Sequence, residues 1–404
     1  MVAAFRLHPS TMKPASFIAA FAVSSTVIAA PLEPKFRAVN VDTNIAIGYG
    51  VTTADIDGDA KLDIVLCDKS QIAWYRNPSW QKFVIAENLT KNDHVCVAAA
   101  DIDGDGKAEI AVGAGWNPGD TVNSGAVFYL IPPSDRTQPW QSVQLPHEPT
   151  VHRMRWVKDW QGKSTLIVAP LHGRSNKDAQ GAGVKIQRYT VPANPRDSWE
   201  VTTLNDSWHK THNFDPIQWD EDPAHELLVG SREGAFVINW SRVHDGFEAI
   251  QVGSDENGGI GEIRLGKLNG TRRFVAGVSP MHGNQLVVFT PGNQPSTLPW
   301  NRIVLDESLV DGHALACGDL LGQGRDQIVV GWRAMGKPAS VKVGIKLFTG
   351  IDDSGKKWRQ TLIDDNTMAC EDLCLADLDN DGKLDIIAAG RATRNVKVYW
   401  NESH

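Results

Sequence analysis

Three short segments carry carboxylates at alternate positions. In DIDGDGKAE, Asp101, Asp103, Asp105 and Glu109 take positions 1, 3, 5 and 9; Asp55, Asp57, Asp59 and Asp63 repeat that spacing, as do Asp377, Asp379, Asp381 and Asp385. Oxygen donors at every second residue of a turn loosened by glycine suit Ca²⁺, a hard cation that takes about six to eight oxygens. Such turns would pin the edges of a fold rather than react, and an Asp-Gly turn without metal is the competing reading. In a related segment Leu321 and Gln323 replace two of the acids, and no metal is expected there.

A second set of residues has the chemistry of a reaction centre. His94, His152, His212 and His313 each stand at the head of a segment that runs into such a turn or its remnant, and Tyr49, Glu262 and Glu371 take the corresponding place in three further copies. Imidazoles gathered with a carboxylate are ligands for Zn²⁺ or another borderline metal, so His94, His152, His212 and Glu262 form the candidate transition-metal set. One such histidine would be an ordinary hydrogen-bonded strand-start residue; four in register argue for a shared task. Arg232, Arg333 and Arg391 close later segments of their copies, with Trp116 and Trp332 in similar places, while His172 and Arg174 stand in LHGRS and His282 in PMHGN. Each arginine could be a solvated loop charge, yet cations and flat aromatics around a His-lined funnel suit a sugar or acidic-sugar substrate.

The elements that would position these residues follow from a repeat. Besides the three acidic segments, DLLGQGRDQIVVG at 319–331 is a decayed copy, and weaker ones stand at 159–170, 220–230 and 266–277. The mean spacing is about 54 residues, so seven units fill the chain beyond residue 29. Each unit reads as four short strands without helical periodicity. The fourth opens on an aromatic residue: Trp80, Trp140, Trp199, Phe247, Trp300 and Trp358. The seventh such strand is missing at the C-terminus and is found as FRAVNV, Phe36 to Val41. A first strand that completes the last blade leaves no open sheet edge. The expectation is an all-β, seven-bladed β-propeller over residues 30–404, closed by its N-terminal strand. In that fold His94, His147, His152, His172, His209, His212, His282 and His313 share one face, while His225 and His244 lie on the other, with the acidic turns.

Composition agrees with a folded chain: 404 residues, 42% hydrophobic and 22% charged, with a formal charge of −8. The acidic balance argues against nucleic acid or an anionic membrane as partner. Arg6 and Lys13, an apolar run from Ala15 to Ile28 and small residues before Pro31 read as a signal peptide over residues 1–29, with an uncleaved anchor as the alternative. The expected location is periplasmic or secreted. The five cysteines lack metal-site spacing and read as buried thiols, with a single disulfide left open.

The acidic turns resemble those of the FG-GAP or VCBS repeats, a likeness that covers residues 36–403 and implies a propeller with calcium. A narrower likeness rests on HRMRW at 152–156, APLHGRSN at 169–176 and WHKTHNFDP at 208–216, which resemble the propeller domain of the aldos-2-ulose dehydratase family. That resemblance implies a metal-dependent dehydration of a keto sugar such as 1,5-anhydrofructose; the family's cupin region, which carries an isomerase step, has no counterpart in this sequence. On that reading His313 or His172 takes the α-proton, and Tyr49 or another imidazole protonates the leaving hydroxyl. Two other readings remain open: a uronate polysaccharide lyase, since ulvan lyases are also His- and Tyr-dependent propellers, and a non-catalytic, calcium-stabilised binding module.

Overall fold

The computed structural model describes Met1 and residues 33–177, 180–220, 222–241, 246–255, 258–292, 297–336 and 341–403. All but Met1 of the expected leader, together with His244 and His404, lies outside the described residues. Among the described residues no helix is long and apolar enough to cross a membrane.

The strands form seven antiparallel sheets of four. Each blade contributes one innermost strand: Gly50–Ala54, Cys96–Ala100, Val151–Lys158, Thr211–Ile217, Ile263–Asn269, Gly312–Gly318 and Cys370–Ala376. Every innermost strand touches the next around the full circle. The second strands, such as Asp63–Cys67, Glu109–Ala114 and Asp385–Gly390, are buried along their whole length. A blade is covered on both faces by its neighbours, which is why these strands read as continuous apolar runs rather than alternating ones.

The tryptophans at the heads of the outer strands join blade to blade. Trp199 packs on Tyr129 of the preceding blade at 5.4 Å between ring centroids, Trp358 on Phe274 at 5.2 Å, Trp300 on Trp219 at 5.6 Å and Trp80 on Trp400 at 6.3 Å. Such aromatic pairs contribute about 0.5–1.5 kcal/mol each beyond the area they bury. The unusual tryptophan content is thus spent on the ring itself.

The ring closes across the length of the chain. Phe36–Asp42 pairs antiparallel with Asn395–Asn401, from Phe36 opposite Asn401 to Asp42 opposite Val396. Glu402 draws in Lys35 at 3.0 Å and Arg37 at 2.8 Å, and Asp42 accepts the Tyr75 hydroxyl of blade one at 2.7 Å. All five cysteines are free, so no disulfide contributes.

Candidate metal and active sites

The acidic turns lie where innermost strands pass into second strands. Asp55, Asp57 and Asp63 bring one carboxylate oxygen each to within 4.8 Å of the others, as do Asp101, Asp103 and Glu109, and Asp377, Asp379 and Asp385. The backbone is left-handed at both the fourth and sixth positions of all three turns, at Gly58 and Ala60, Gly104 and Gly106, Asn380 and Gly382, which is why four of these six residues are glycine. The fifth-position acids stand outside these close groups. Asp59, Asp105 and Asp381 instead accept the backbone amides of Lys61, Lys107 and Lys383 at 2.8 to 3.0 Å. A further group, Asp220, Asp222 and Glu226 of blade four, has the same closeness. Its shortened spacing hid it in the sequence, where only the weak repeat at 220–230 marked the place.

The last acid of each turn is buried. Burial, reinforced by the neighbouring carboxylates, pushes Asp63 and Glu109 up to about 7 and Asp385 to about 6. A cation bound there must displace those protons. Each carboxyl holds its proton below its raised value and releases it above, so bound calcium should raise the melting temperature far more at pH 8 than at pH 5.5. Melting curves with calcium and with chelator at the two pH values test this; equal shifts would argue against these turns as cation sites.

On the opposite face, four innermost strands begin with the same irregularity. The ladder to the second strand skips one residue between Val151 and Arg153, Thr211 and Asn213, Gly312 and Ala314, and Cys370 and Asp372. The skipped residues are His152, His212, His313 and Glu371. A β-bulge frees its extra residue from the ladder and re-aims its side chain. Blades one and two pair without a bulge from Gly50 and Cys96 onward, and their residues behave differently.

The bulged histidines converge with His282. Centroids of His212 lie 4.7 Å from His152, 4.5 Å from His282 and 5.2 Å from His313, and His282 is 4.8 Å from His313. Ligand nitrogens of His212, His282 and His313 all fall within 4.8 Å of one another. His282 reaches the group from a loop with its backbone in the left-handed region, φ 57°, which non-glycine residues seldom occupy outside sites that need it. It is also the exposed member, leaving one side of the trio open to solvent.

Hydrogen bonds fix the ring orientations. His152 Nδ1 lies 2.7 Å from the His212 carbonyl and His313 Nδ1 2.5 Å from the Glu371 carbonyl, so each bulged ring is anchored to the equivalent residue of the next blade. A carbonyl only accepts, which puts the proton on Nδ1 and the lone pair on Nε2. His212 Nδ1 lies 3.1 Å from Glu262 Oε1. Arg333 donates to His282 Nδ1 at 3.2 Å, which places the His282 proton on Nε2, facing His212 Nε2 at 2.5 Å. One proton therefore lies between these two nitrogens.

Electrostatics keep the group neutral. Burial, then the Arg153 charge, holds His152 well below the usual imidazole range; burial and Arg333 do the same for His313. Partial burial, with the charges of His212 and Arg333, lowers His282, and burial lowers His212 against the pull of Glu262. Burial alone would raise the Glu262 carboxyl, but the His212 hydrogen bond and Arg153 hold it well below the carboxylate range. A borderline metal takes neutral imidazole nitrogens; His212 and His313 offer Nε2 lone pairs, and His282 would complete the set once its Nε2 proton leaves, so the donor set fits such an ion.

The structure regroups the expected roles. His94 does not join the cluster: without a bulge its ring stays between blades one and two, where Nε2 accepts the Leu89 amide at 3.2 Å. His152 belongs to the cluster, stacked by Trp116 at 5.0 Å, but Arg153 Nη1 lies 3.2 Å from its Nε2. Glu262 supports His212 from below, also taking Asn213 Nδ2 at 2.5 Å. His282 and His313, expected to bind substrate and to move a proton, stand with His212 among the ligand nitrogens. Tyr49 donates to Asp93 at 2.9 Å with Arg391 over its ring at 5.4 Å, and burial and Asp93 push its phenol above the ordinary range.

Arg174, Arg333 and Arg391, expected to face substrate, are engaged by carboxylates. Arg333 and Arg391 converge on Glu371 Oε1 at 2.6 and 2.9 Å, Arg333 also holds Asp311 at 3.0 Å, and Arg174 holds Glu148 at 3.2 Å. Trp332 is a core residue, its Nε1 bonded to the Lys342 carbonyl at 2.6 Å. Below the cluster the axis holds a cavity of about 320 Å³ with Arg153, Arg155, Arg264, Asp215 and Asp372 in its wall. The alternation of HRMRW sends both of its arginines there, a consequence of strand period that the motif alone did not reveal.

Comparison with known proteins agrees with this architecture. Residues 55–112 match the FG-GAP-like repeat and residues 97–130 the FG-GAP repeat. Aldos-2-ulose dehydratase of Phanerodontia chrysosporium is 22% identical over 351 residues, covering 78% of this chain; the match spans 37% of that longer protein. Among solved structures, a chain of the mitotic checkpoint complex superposes with a TM-score of 0.57 at 11% identity, covering 96% of this chain and 98% of that one. The β-propeller domain of Cps50 (Swd1) from Myceliophteria thermophila gives 0.53 at 10% identity, over 90% and 99%. Hydrazine synthase of Kuenenia stuttgartiensis gives 0.53 at 11%, over 89% and 97%. At these identities the solved structures speak for the fold alone. The chain is a seven-bladed β-propeller that carries FG-GAP repeats and is similar in sequence to aldos-2-ulose dehydratase.

Proposed function

We propose that this chain is an exported carbohydrate lyase that eliminates water from a 2-keto sugar, with 1,5-anhydrofructose as the test substrate. The observation that carries the reading is the convergence of His212, His282 and His313, whose ring nitrogens all lie within 4.8 Å of one another with His282 exposed on one side. The sequence likeness to a protein named as a dehydratase of an aldos-2-ulose supports it. A divalent transition metal such as Zn²⁺ held by the trio would supply Lewis acidity toward the ketone oxygen. Calcium in the acidic turns would be structural.

The chain's own groups account for the proton movements. Glu262 and the Glu371 carbonyl fix the faces of His212 and His313 toward the axis. His172, half-buried on the same face in the wall of a cavity that Lys210 also lines, takes the proton from the carbon next to the ketone. Tyr49, kept protonated by burial and Asp93, delivers a proton to the hydroxyl that departs from the following carbon. A carbon–carbon double bond forms, a carbon–oxygen bond breaks and one water leaves.

The product is a conjugated ketone, so ultraviolet absorbance should rise when zinc-loaded protein meets 1,5-anhydrofructose. His172→Ala is expected to slow that rise by about 10²–10⁴-fold, the usual contribution of a positioned base. Absence of any conjugated product from keto sugars would overturn the reading, and cleavage of a uronate polysaccharide in its place would assign the site to the other elimination.

A further inference from the structure

Arg333 ties together several segments beside the imidazole cluster. Its amide donates to the Asp311 carbonyl at 3.2 Å, its Nε to Asp311 Oδ2 at 3.0 Å and its Nη1 to Glu371 Oε1 at 2.6 Å. The segments that carry His282 and Asp311 are also bonded to each other, the Gly312 amide to the Gly283 carbonyl at 2.9 Å and the Leu309 amide to the Asn284 carbonyl at 3.1 Å. His282 and Asp311 both have a left-handed backbone, φ 57° and 58°, so the chain holds two non-glycine residues side by side in a region they seldom occupy. The second carboxylate oxygen, Asp311 Oδ1, lies 3.5 Å from His282 Nδ1, is shielded from solvent and makes no hydrogen bond among the described residues. A shielded carboxylate oxygen without a donor is rare enough to call for a reason.

We infer that Asp311 is a positioning residue for the transition-metal site: its Oδ1 accepts a hydrogen bond from His282 Nδ1 and thereby presents His282 Nε2 to the metal. In the metal-free ring Arg333 donates to Nδ1 and the proton sits on Nε2. A neutral imidazole has one proton for its two nitrogens, so an Nε2 given over to a metal leaves that proton on Nδ1, where an acceptor must replace the arginine. Asp311 Oδ1 is the acceptor within reach, and Arg333 holds it there through Oδ2 while keeping its own second partner, Glu371. The other two members of the trio already have this support, His313 Nδ1 at the Glu371 carbonyl and His212 Nδ1 at Glu262 Oε1. Asp311 gives the third ring what they have, and such partners fix the tautomer and raise the basicity of a ligand histidine. The inference rests on the reading of the trio as a metal site and is independent of which sugar is the substrate.

Zinc titration of the intact chain in calcium-containing buffer against a competing chelator, with nitrogen-15 spectra of histidine-labelled protein, tests it. Zinc should move the His282 ring proton of the parent from Nε2 to Nδ1. Asp311→Gly suits the left-handed backbone and removes the carboxylate; it should weaken zinc binding by about 10–100-fold, the usual effect of losing such a partner, while its melting temperature stays near the parent's. Asp311→Asn keeps a neutral acceptor in place of a charged one and should bind zinc with an affinity between the two; it decides the matter if Asp311→Gly does not fold. The parent's affinity in either folded variant, or a zinc-loaded parent with the His282 proton still on Nε2, would overturn the inference and leave the metal site standing. A parent whose His282 signals do not respond to zinc would reject both.

Discussion

His212→Ala is expected to empty the transition-metal site and to lower turnover of a keto sugar by about three orders of magnitude, the order of the several kcal/mol that a Lewis acid supplies. His212 touches three other imidazoles and rests on Glu262, so no other single residue meets as much of the cluster. Its removal leaves two ligand nitrogens, His282 and His313, too few to close a coordination sphere that normally has three protein donors. The ring should stay folded, because the acidic turns lie on the other face and His212 is not part of the apolar clusters that join the blades. His225→Ala is the matched control. His225 sits on the turn face, its amide bonded to the Lys158 carbonyl at 3.0 Å, and its loss should leave metal content and turnover near the parent's. Metal analysis, the absorbance assay and a melting curve on the same three preparations distinguish lost chemistry from lost fold. A variant as active as the parent, or equal losses at His212 and His225, would contradict the assignment.

Removing residues 33–42 should be far more destructive than removing any other segment of similar length. Those residues supply the whole outer strand of the last blade, paired along Asn395–Asn401, and the Asp42 contacts to Tyr75 and Lys82 of blade one. Without them Asn395–Asn401 becomes an exposed edge, a template for association with other chains. A domain is stable by only about 5–15 kcal/mol, and one strand's hydrogen bonds at about 0.5–1.5 kcal/mol each, together with its packing, amount to a large share of that. The shortened protein is expected to aggregate, and a synthetic peptide of residues 33–43 should restore monomer when added during refolding. A shortened protein that refolds alone as a stable monomer would refute the closure argument.

Much of the fold was legible because it is written in local rules that recur. The acidic turns announce themselves by spacing, the outer strands by their leading tryptophans, and the closing strand by its absence from the C-terminal copy. The imidazole cluster was legible only as a set of equivalent positions. His94 and His152 look alike in sequence, but a bulge between Val151 and Arg153 has no counterpart at Cys96, and register is a property of paired strands rather than of either one. Arg333 and Arg391 carry no mark in the sequence that Glu371 lies between them. His282 stood in a loop unrelated to the repeat, and only a left-handed backbone brings it to His212. Asp220, Asp222 and Glu226 escaped because their spacing is compressed relative to the other turns.

The account stands or falls on whether His212, His282 and His313 share one metal ion. Crystals of zinc-loaded protein, measured with X-rays on both sides of the zinc absorption edge, should show an anomalous peak bonded to Nε2 of all three residues at about 2.0–2.1 Å, and the peak should disappear in His212→Ala crystals. A map with no peak at the trio, or zinc bound in the acidic turns while His212 and His282 keep their direct Nε2 contact, would contradict it.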